Sequence, residues 1–461
     1  MSGAAHQILA ADPNLSVFVT ANAGSGKTTT LVNRVARLLL AEARPDAILC
    51  VTYTKAAAAE MQARLFDQLG GWAVMDDREL AKAVAALDDG DPAALSEARL
   101  SEARRLFARA LETPGGLKIQ TIHAFCEKLL RRFPLEAGVS PAFTVLEDQA
   151  AALLSHQARE DLARYALADA EGPIGAAYSH FAVELDWPRF QALLAMIEAR
   201  RDALTAYTDA WEAGTAPSPH ALTGADPHQR PEEIERDFIR FIDPGEWSRM
   251  AEAMAGGAKT DAKLADAMHA VTLPDAAFAS LAAVFCKADG DGRTSMGTKS
   301  APPAAVGWLT ELQTKYLATR DVLRAAKIAD DTVKVLTLAR AHAALYEQAK
   351  AAGGALDFSD LVARTVRLLT ENASAAWVLY KLDGGVDHVL IDEAQDTAPQ
   401  QWEIVRALTG EFFAGEVSGR TVFAVGDEKQ SIYSFQGARP ERLRQESRVY
   451  QQLVEGAGAV F

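Results

Sequence analysis

Cysteine is nearly missing from this chain. Its three cysteines, Cys50, Cys126 and Cys286, are spread over 461 residues. They are too few and too scattered for a disulfide framework or a cysteine-built metal site, which fits a reducing compartment. His123 stands three positions before Cys126, but no second pair follows, so zinc is not expected. Long apolar runs are missing too. No stretch of about 18 apolar residues occurs, so no membrane-spanning helix is expected. The opening MSGAAHQILAADPN lacks the basic run and apolar core of a signal peptide. Positive charge is scarce: 47 Lys and Arg against 62 Asp and Glu leave a net charge of −15. That argues against a surface coated with cations for a polyanion, while leaving room for a local basic groove. There is no repeat of fixed period. The DGDG at 289–292 lacks the glutamate that would complete a calcium loop. The expectation is a soluble, cytoplasmic protein.

What is present is enough apolar residue, 49% of the chain, to bury two or three cores at roughly 150 residues per domain. Short apolar runs recur in the outer thirds: SVFVTA (16–21), AILCVTYT (47–54), LKIQTIHAF (117–125), HVLIDEAQD (388–396) and TVFAVGDEKQ (421–430). Their length and their Val, Ile and Phe content predict buried parallel strands, with helices such as TTTLVNRVARLLLAE between them. Functional loops then belong at the carboxyl ends of the strands. Between about 146 and 355 the chain changes character, to Ala, Leu, Glu and Arg at helical spacing. This predicts an α/β unit in two parts, 1–145 and 356–461, interrupted by a mainly helical insertion over 146–355. Within the insertion, 286–303 reads as a turn-rich loop.

The stretch ANAGSGKTTT, Ala21 to Thr30, has the chemistry of a phosphate cradle. Small residues let successive backbone N–H groups turn inward, a lysine reaches the outer phosphates, and a hydroxyl ligates magnesium at a helix N-terminus. Phosphate contacts are expected from Ala23, Gly24, Ser25, Gly26, Lys27, Thr28 and Thr29. The usual pattern begins with glycine six residues before the lysine, where this chain has Ala21. A partner motif strengthens the reading. VLIDEAQD is an apolar strand ending in Asp392, which with Thr28 is placed to hold Mg²⁺, and Glu393 can deprotonate an attacking water. Gln430, at another strand end, is placed to sense the γ-phosphate or that water. The expected ligands are therefore ATP and Mg²⁺. Tyr433 and Phe435 follow Gln430 closely and, like Tyr53 at a strand end, could stack on bases. Core packing is the competing reading for Phe435 and Phe125.

In order along the chain, HQILAADP around Gln7, VTYTKAAAAEM (51–61), TIHAFC (121–126), LDFSDL (356–361), DEAQDT (392–397) and VGDEKQSIYSFQGA (425–438) resemble the motifs of the UvrD/RecB-type superfamily-1 DNA helicases. ANAGSGKT and LETPGGLKIQTIHAFCEKLLRRFP are most similar to the AddA type, the helicase–nuclease subunits of bacterial double-strand-break repair. The outer regions carry this likeness closely and the middle loosely. It implies a RecA-like P-loop NTPase lobe, parallel sheet flanked by helices, with a large helical accessory domain inserted. It also implies Gln7 as the adenine reader, and Tyr53, Thr54, Thr121, His123, Tyr433 and Phe435 as DNA contacts. Implied partners are single-stranded DNA, duplex DNA ends and an AddB-type subunit; implied polarity is 3′–5′. For His123, a structural role competes evenly with a DNA contact.

Two departures bear on mechanism. Gln436 stands where the family has arginine in FRGA. No motif of a second motor lobe or nuclease domain follows before Phe461, which predicts a first lobe plus its insertion, unable to unwind DNA by itself. The alternatives are a non-catalytic module binding ATP or single-stranded DNA, and an unrelated P-loop kinase, which has no need of Gln7, TIHAF or GDEKQSIY. Two short basic clusters, Lys128, Arg131 and Arg132, and Lys287, Arg293 and Lys299, are candidate phosphate contacts.

Overall fold

The computed structural model describes residues 3–22, 24–114, 116–371, 373–383, 385–413, 419–431, 439, 441–457 and 461. The chain divides into two compact units. One joins Met1–Gln149 to Gly353–Phe461, and the other is Ala150–Ala352.

The first unit is built on a parallel sheet. Its strands are β1 (Val17–Thr20), β2 (Ile48–Thr52), β3 (Lys118–Thr121), β6 (His388–Ile391) and β7 (Thr421–Gly426), in the order β1-β7-β6-β2-β3. A two-residue parallel pair, β4 (Thr144–Val145) and β5 (Ala355–Leu356), lies apart from it. All five predicted strands are present, each shorter than its apolar run, and the IHAF end of the third run opens the helix Ile122–Arg132 instead. Side chains alternate across the sheet as the pleat requires. Leu49, Val51, Val389, Ile391, Val422 and Ala424 enter one core with the helices Ile122–Arg132 and Phe358–Thr370. On the other face, Ile48, Cys50, Leu390, Phe423 and Val425 meet the helices Lys27–Leu40 and Lys55–Val74. A sheet buried on both faces is apolar at most positions, which is why most of these strands read as nearly continuous runs. Because all five run the same way, their carboxyl ends share one edge.

One buried cation secures the amino-terminal segment to this sheet. Arg34 donates to the carbonyls of Ala10 at 3.0 Å, Asp12 at 2.7 Å and Leu15, and to Thr421 Oγ1 at 3.1 Å. Its guanidinium lies over the Phe423 ring, 5.1 Å from the centroid. Burial pulls its pKa down to about 9, so the carbonyls, not solvent, carry the charge.

The second unit is helical. Its spine is one helix of 50 residues, Pro303–Ala352, about 75 Å long at 1.5 Å per residue. Shorter helices pack along it, several opened by a capping side chain followed by proline: Asp186 accepts from Arg189 N, Ser218 from Ala221 N and Asp243 from Glu246 N. Proline at the first helical turn has no N–H to orphan, so it reinforces the start. Separate clusters of buried side chains line the spine, one around Trp247, Phe285 and Tyr316, another around Phe181, Phe190 and Leu338. Among the described residues, no helix is long and apolar enough to cross a membrane.

Candidate nucleotide site and its nucleic-acid face

The loop after β1 turns on two glycines in the left-handed region, Gly24 at φ +74° and Gly26 at φ +82°. Gly26 opens the helix Lys27–Leu40, and a Cβ there would meet Gln7 Nε2 at 2.9 Å. The position therefore needs glycine for its backbone angle and for the close approach. Gln7 Nε2 donates to Ser25 O at 2.6 Å, which seats the predicted adenine reader directly on the loop. Ala21 N donates to Gly426 O at 3.1 Å, tying the loop's start to the end of β7. Thr28 is half-buried and Thr29 exposed in the first helical turn. Ala23 lies outside the described residues.

Lys27 does not point into solvent. Its Nζ lies 3.3 Å from Glu393 Oε2, with the lysine side chain only 10% exposed. Glu393 itself sits at φ +49°, a conformation that costs a residue with a Cβ about 1–2 kcal/mol. Strain of this kind is retained where a side chain has to be aimed, and here it aims a carboxylate at the phosphate-loop lysine. Asp392 precedes it, buried, accepting from Glu393 N at 3.0 Å. Burial, followed by the neighbouring Glu393, pushes the Asp392 carboxyl up to about 6. A buried carboxyl that resists ionisation gains most from a cation beside it. The donor set, one carboxylate and a hydroxyl beside a phosphate cradle, fits Mg²⁺, which is usually held by few protein oxygens and completed by phosphate and water.

Gln395, which sequence reasoning passed over, joins the strand ends. Its Nε2 donates to Glu393 Oε2 at 2.7 Å and to Asp396 Oδ2 at 3.3 Å, while its Oε1 accepts from Asp427 N at 2.8 Å. Asp427 in turn accepts from the Gln430 side chain, and Ser431 Oγ donates to Asp396 Oδ1 at 2.9 Å. A continuous polar chain thus runs Lys27–Glu393–Gln395–Asp427–Gln430, from the phosphate loop to the segment after β7. The predicted sensor Gln430 is exposed and reaches Glu393 only through this relay. Tyr433, Phe435 and Gln436 lie outside the described residues.

The remaining predicted contacts follow β2 and β3. Tyr53 and Asp392 line one small cavity of about 10 Å³, room for about one water. Thr54 and Thr121 cap the helices that follow them, accepting from Ala57 N at 3.0 Å and Ala124 N at 3.1 Å. His123 packs its ring on Phe358, with centroids 4.8 Å apart. Burial lowers its pKa, opposed by Asp148, so the ring is held neutral. Phe125 is core. In the basic clusters, Lys128 donates to Gln120 Oε1 at 2.6 Å and Arg131 pairs with Glu127 at 2.9 Å. Arg293 spends its guanidinium on the carbonyls of Val284 and Ala283. That last residue is a loop staple.

The family described as the UvrD/REP helicase N-terminal domain matches residues 1–451. Among curated proteins, the chain is 26% identical over 480 residues to the A subunit of an ATP-dependent helicase/nuclease from Exiguobacterium sibiricum, covering 95% of this chain and 36% of the relative. Proteins of the same description from Desulforudis audaxviator (28%, covering 96% and 36%) and Listeria welshimeri (25%, covering 96% and 36%) are similar to it over the same span. The chain thus spans about a third of the length of these relatives.

Proposed function

The chain belongs to the UvrD/REP helicase N-terminal domain family, and on that premise we propose that it is the ATP-hydrolysing motor lobe of an AddA-like, ATP-dependent DNA helicase. The observation that carries this reading is the Lys27–Glu393 pair at 3.3 Å, joined through Gln395 to the end of β7. In this reading the triphosphate competes with Glu393 for Lys27. Lys27 moves onto the outer phosphate oxygens, and Glu393 is released to orient a water. The water oxygen attacks the γ-phosphorus in line, Glu393 takes its proton, and the bond to the β-phosphate oxygen breaks with its electron pair leaving on ADP. Thr28 and Asp392 would hold magnesium, which would supply neutralisation of phosphate charge. The loop glycines and Ser25 hold the phosphates by backbone N–H, and Gln7 is placed for adenine. The loss of Glu393's partner is passed along Gln395 and Asp427 to Gln430, so phosphate state reaches the segment leading to Tyr433 and Phe435. Tyr53, Thr54, Thr121 and His123 complete the face assigned to single-stranded DNA.

The wider role rests on the resemblance of the motifs to the AddA type. We place the whole protein in recombinational repair of double-strand breaks in the bacterial cytoplasm, moving 3′–5′ from duplex ends with an AddB-type partner. The helical unit Ala150–Ala352 is the accessory insertion of the lobe. A second reading, binding without turnover, is favoured by one detail: Glu393 Oε2 is engaged by both Lys27 and Gln395.

The test is ATP hydrolysis with and without oligothymidine, beside Lys27→Ala and Glu393→Gln. Turnover that rises with DNA and falls at least about a hundredfold in either variant is the expected result. Tight ATP binding with no turnover in the parent chain establishes the second reading. Turnover indifferent to Lys27 overturns both.

A further inference from the structure

The helical unit Ala150–Ala352 carries a cavity of its own, which the phosphate-loop chemistry does not use. It measures about 420 Å³, within the size that takes a small organic ligand. Its wall is apolar and aromatic: Tyr316 stacks on Phe278 with centroids 4.8 Å apart, and Leu323 lies beside them. Its rim carries four cations, Lys287, Arg320, Arg324 and Lys327, against one lining acid, Glu235. Glu235 is committed to Lys327 at 2.7 Å. Acidic partners of the other three lie outside the lining at longer range: Lys287 lies 3.6 Å from Asp289 and 3.9 Å from Asp291, while Arg320 and Arg324 share Asp321 at 3.8 Å.

One buried donor at the cavity, Arg320 Nε, is unspent, and Tyr316, 2% exposed overall, lines the same cavity. Burial, with Cys286, pushes the Tyr316 phenol up, and the charges of Arg320 and Arg324 oppose that shift. Arg320 is held in place by donating to Gly290 O at 2.6 Å and Cys286 Sγ at 3.5 Å, while its Nε has no hydrogen-bond partner. A buried donor without an acceptor is costly, and an anionic oxygen entering beside Arg320 satisfies it.

We propose that this cavity binds a phosphate monoester carrying a flat ring, the chemistry of a mononucleotide. Arg320, Arg324 and Lys287 take the doubly charged phosphate, Tyr316 donates its hydroxyl to a phosphate oxygen, and the ring lies along Phe278 and Leu323. The same chemistry has two sources, a free nucleotide or the phosphorylated end of a strand.

The experiment is calorimetric titration of the full chain with dTMP, thymidine, inorganic phosphate and oligothymidine with and without a 5′-phosphate. Arg324→Glu removes a cation whose side chain is 61% exposed, and Tyr316→Phe removes only a hydroxyl, so neither disturbs the fold. Expected is saturable dTMP binding, lost in Arg324→Glu and about tenfold weaker in Tyr316→Phe, with thymidine inert. All three cysteines are buried in cores, but among them only Cys286, 5% exposed, also lines this cavity. Bound dTMP should therefore also slow alkylation of Cys286 by N-ethylmaleimide. Binding of the phosphorylated strand but not dTMP supports the site and assigns it to strand ends. No binding by either, equal binding in Arg324→Glu, or thymidine binding as tightly as dTMP overturns the proposal. Inorganic phosphate binding as tightly as dTMP overturns the role of the aromatic wall.

Discussion

At the scale of single residues, the site holds a conflict between stability and chemistry that can be measured at Asp392. Its carboxyl is raised to about 6 by burial and by Glu393, against roughly 3.9 in an unfolded chain. A raised carboxyl favours the fold while protonated. That contribution is complete below about pH 4 and lost as pH climbs through 6, for a total of about 3 kcal/mol at 1.36 kcal/mol per unit. Asp392→Asn keeps an oxygen for Glu393 N but never ionises. It should be more stable than the parent by about 1–3 kcal/mol at pH 8 without magnesium, and equal to it at pH 4. His388, which burial holds down to about 4, gives the opposite slope, losing stability as pH falls from about 6.5. The difference between the two proteins cancels it. Urea unfolding at several pH values is the measurement. A variant less stable at pH 8 means the ionised carboxylate is structural and has no need of a cation. Turnover of Mg·ATP should be lost in the same variant, the sign that Asp392 is kept for chemistry.

At the scale of elements, Gly426 decides whether β7 speaks to β6. A Cβ there would stand 2.5 Å from Gln395 Oε1 and 3.1 Å from Gln395 N, with Leu443 Cδ2 at 3.0 Å. Gln395 cannot yield without losing Asp427 N on one side or Glu393 on the other. Gly426→Ala should therefore cost about 1–3 kcal/mol of stability, as overpacking in a close-packed interior does. Its effect on ATP turnover should exceed its effect on ATP affinity, since Lys27 and the loop glycines are untouched. An affinity loss as large as the turnover loss would show that the variant disturbs the loop instead. This joint also marks the limit of what the sequence discloses. The strands were legible because a sheet buried on both faces forces apolar runs, and Lys27, Asp392 and Glu393 because phosphate chemistry fixes residue types at short spacing. Gln395 stood inside the DEAQDT motif, but its role as a joint was not legible because its partner Asp427 is 32 residues away. Arg34 carries no local signal either, because the three carbonyls it binds, of Ala10, Asp12 and Leu15, come to it only through the fold. The pair β4–β5 was too short, at two residues each, to show any period.

At the scale of the whole molecule, that short pair is where the insertion leaves and returns. Thr144 pairs with Ala355 and Val145 with Leu356, and the bonds Thr144 N to Gly354 O at 3.1 Å and Leu146 N to Leu356 O at 2.8 Å close the join. Paired strands stand about 4.8 Å apart, so the two ends of the first unit already meet without any help from Ala150–Ala352. Both cores of that unit draw only on residues before Gln149 and after Gly353. Its sheet has four strand pairings, all made within the unit. Replacing 150–352 by a flexible Gly-Ser linker of about eight residues, enough to span the gap at some 5–6 Å × √n, should leave a folded protein. It should bind ATP with the affinity of the whole chain and retain Lys27 dependence. Closure entropy falls as the loop shortens, by about 0.6 kcal/mol per halving, so the sheet unit gains slightly from the excision. Nucleotide titration and thermal melting of the excised protein measure both. A chain that fails to fold, or binds ATP much more weakly, would mean that the helical unit shapes the phosphate loop through the β4–β5 join. In that event, ligands of the cavity beside Tyr316 should also shift ATP affinity in the intact chain, which makes the two units one coupled device instead of a motor carrying a passenger.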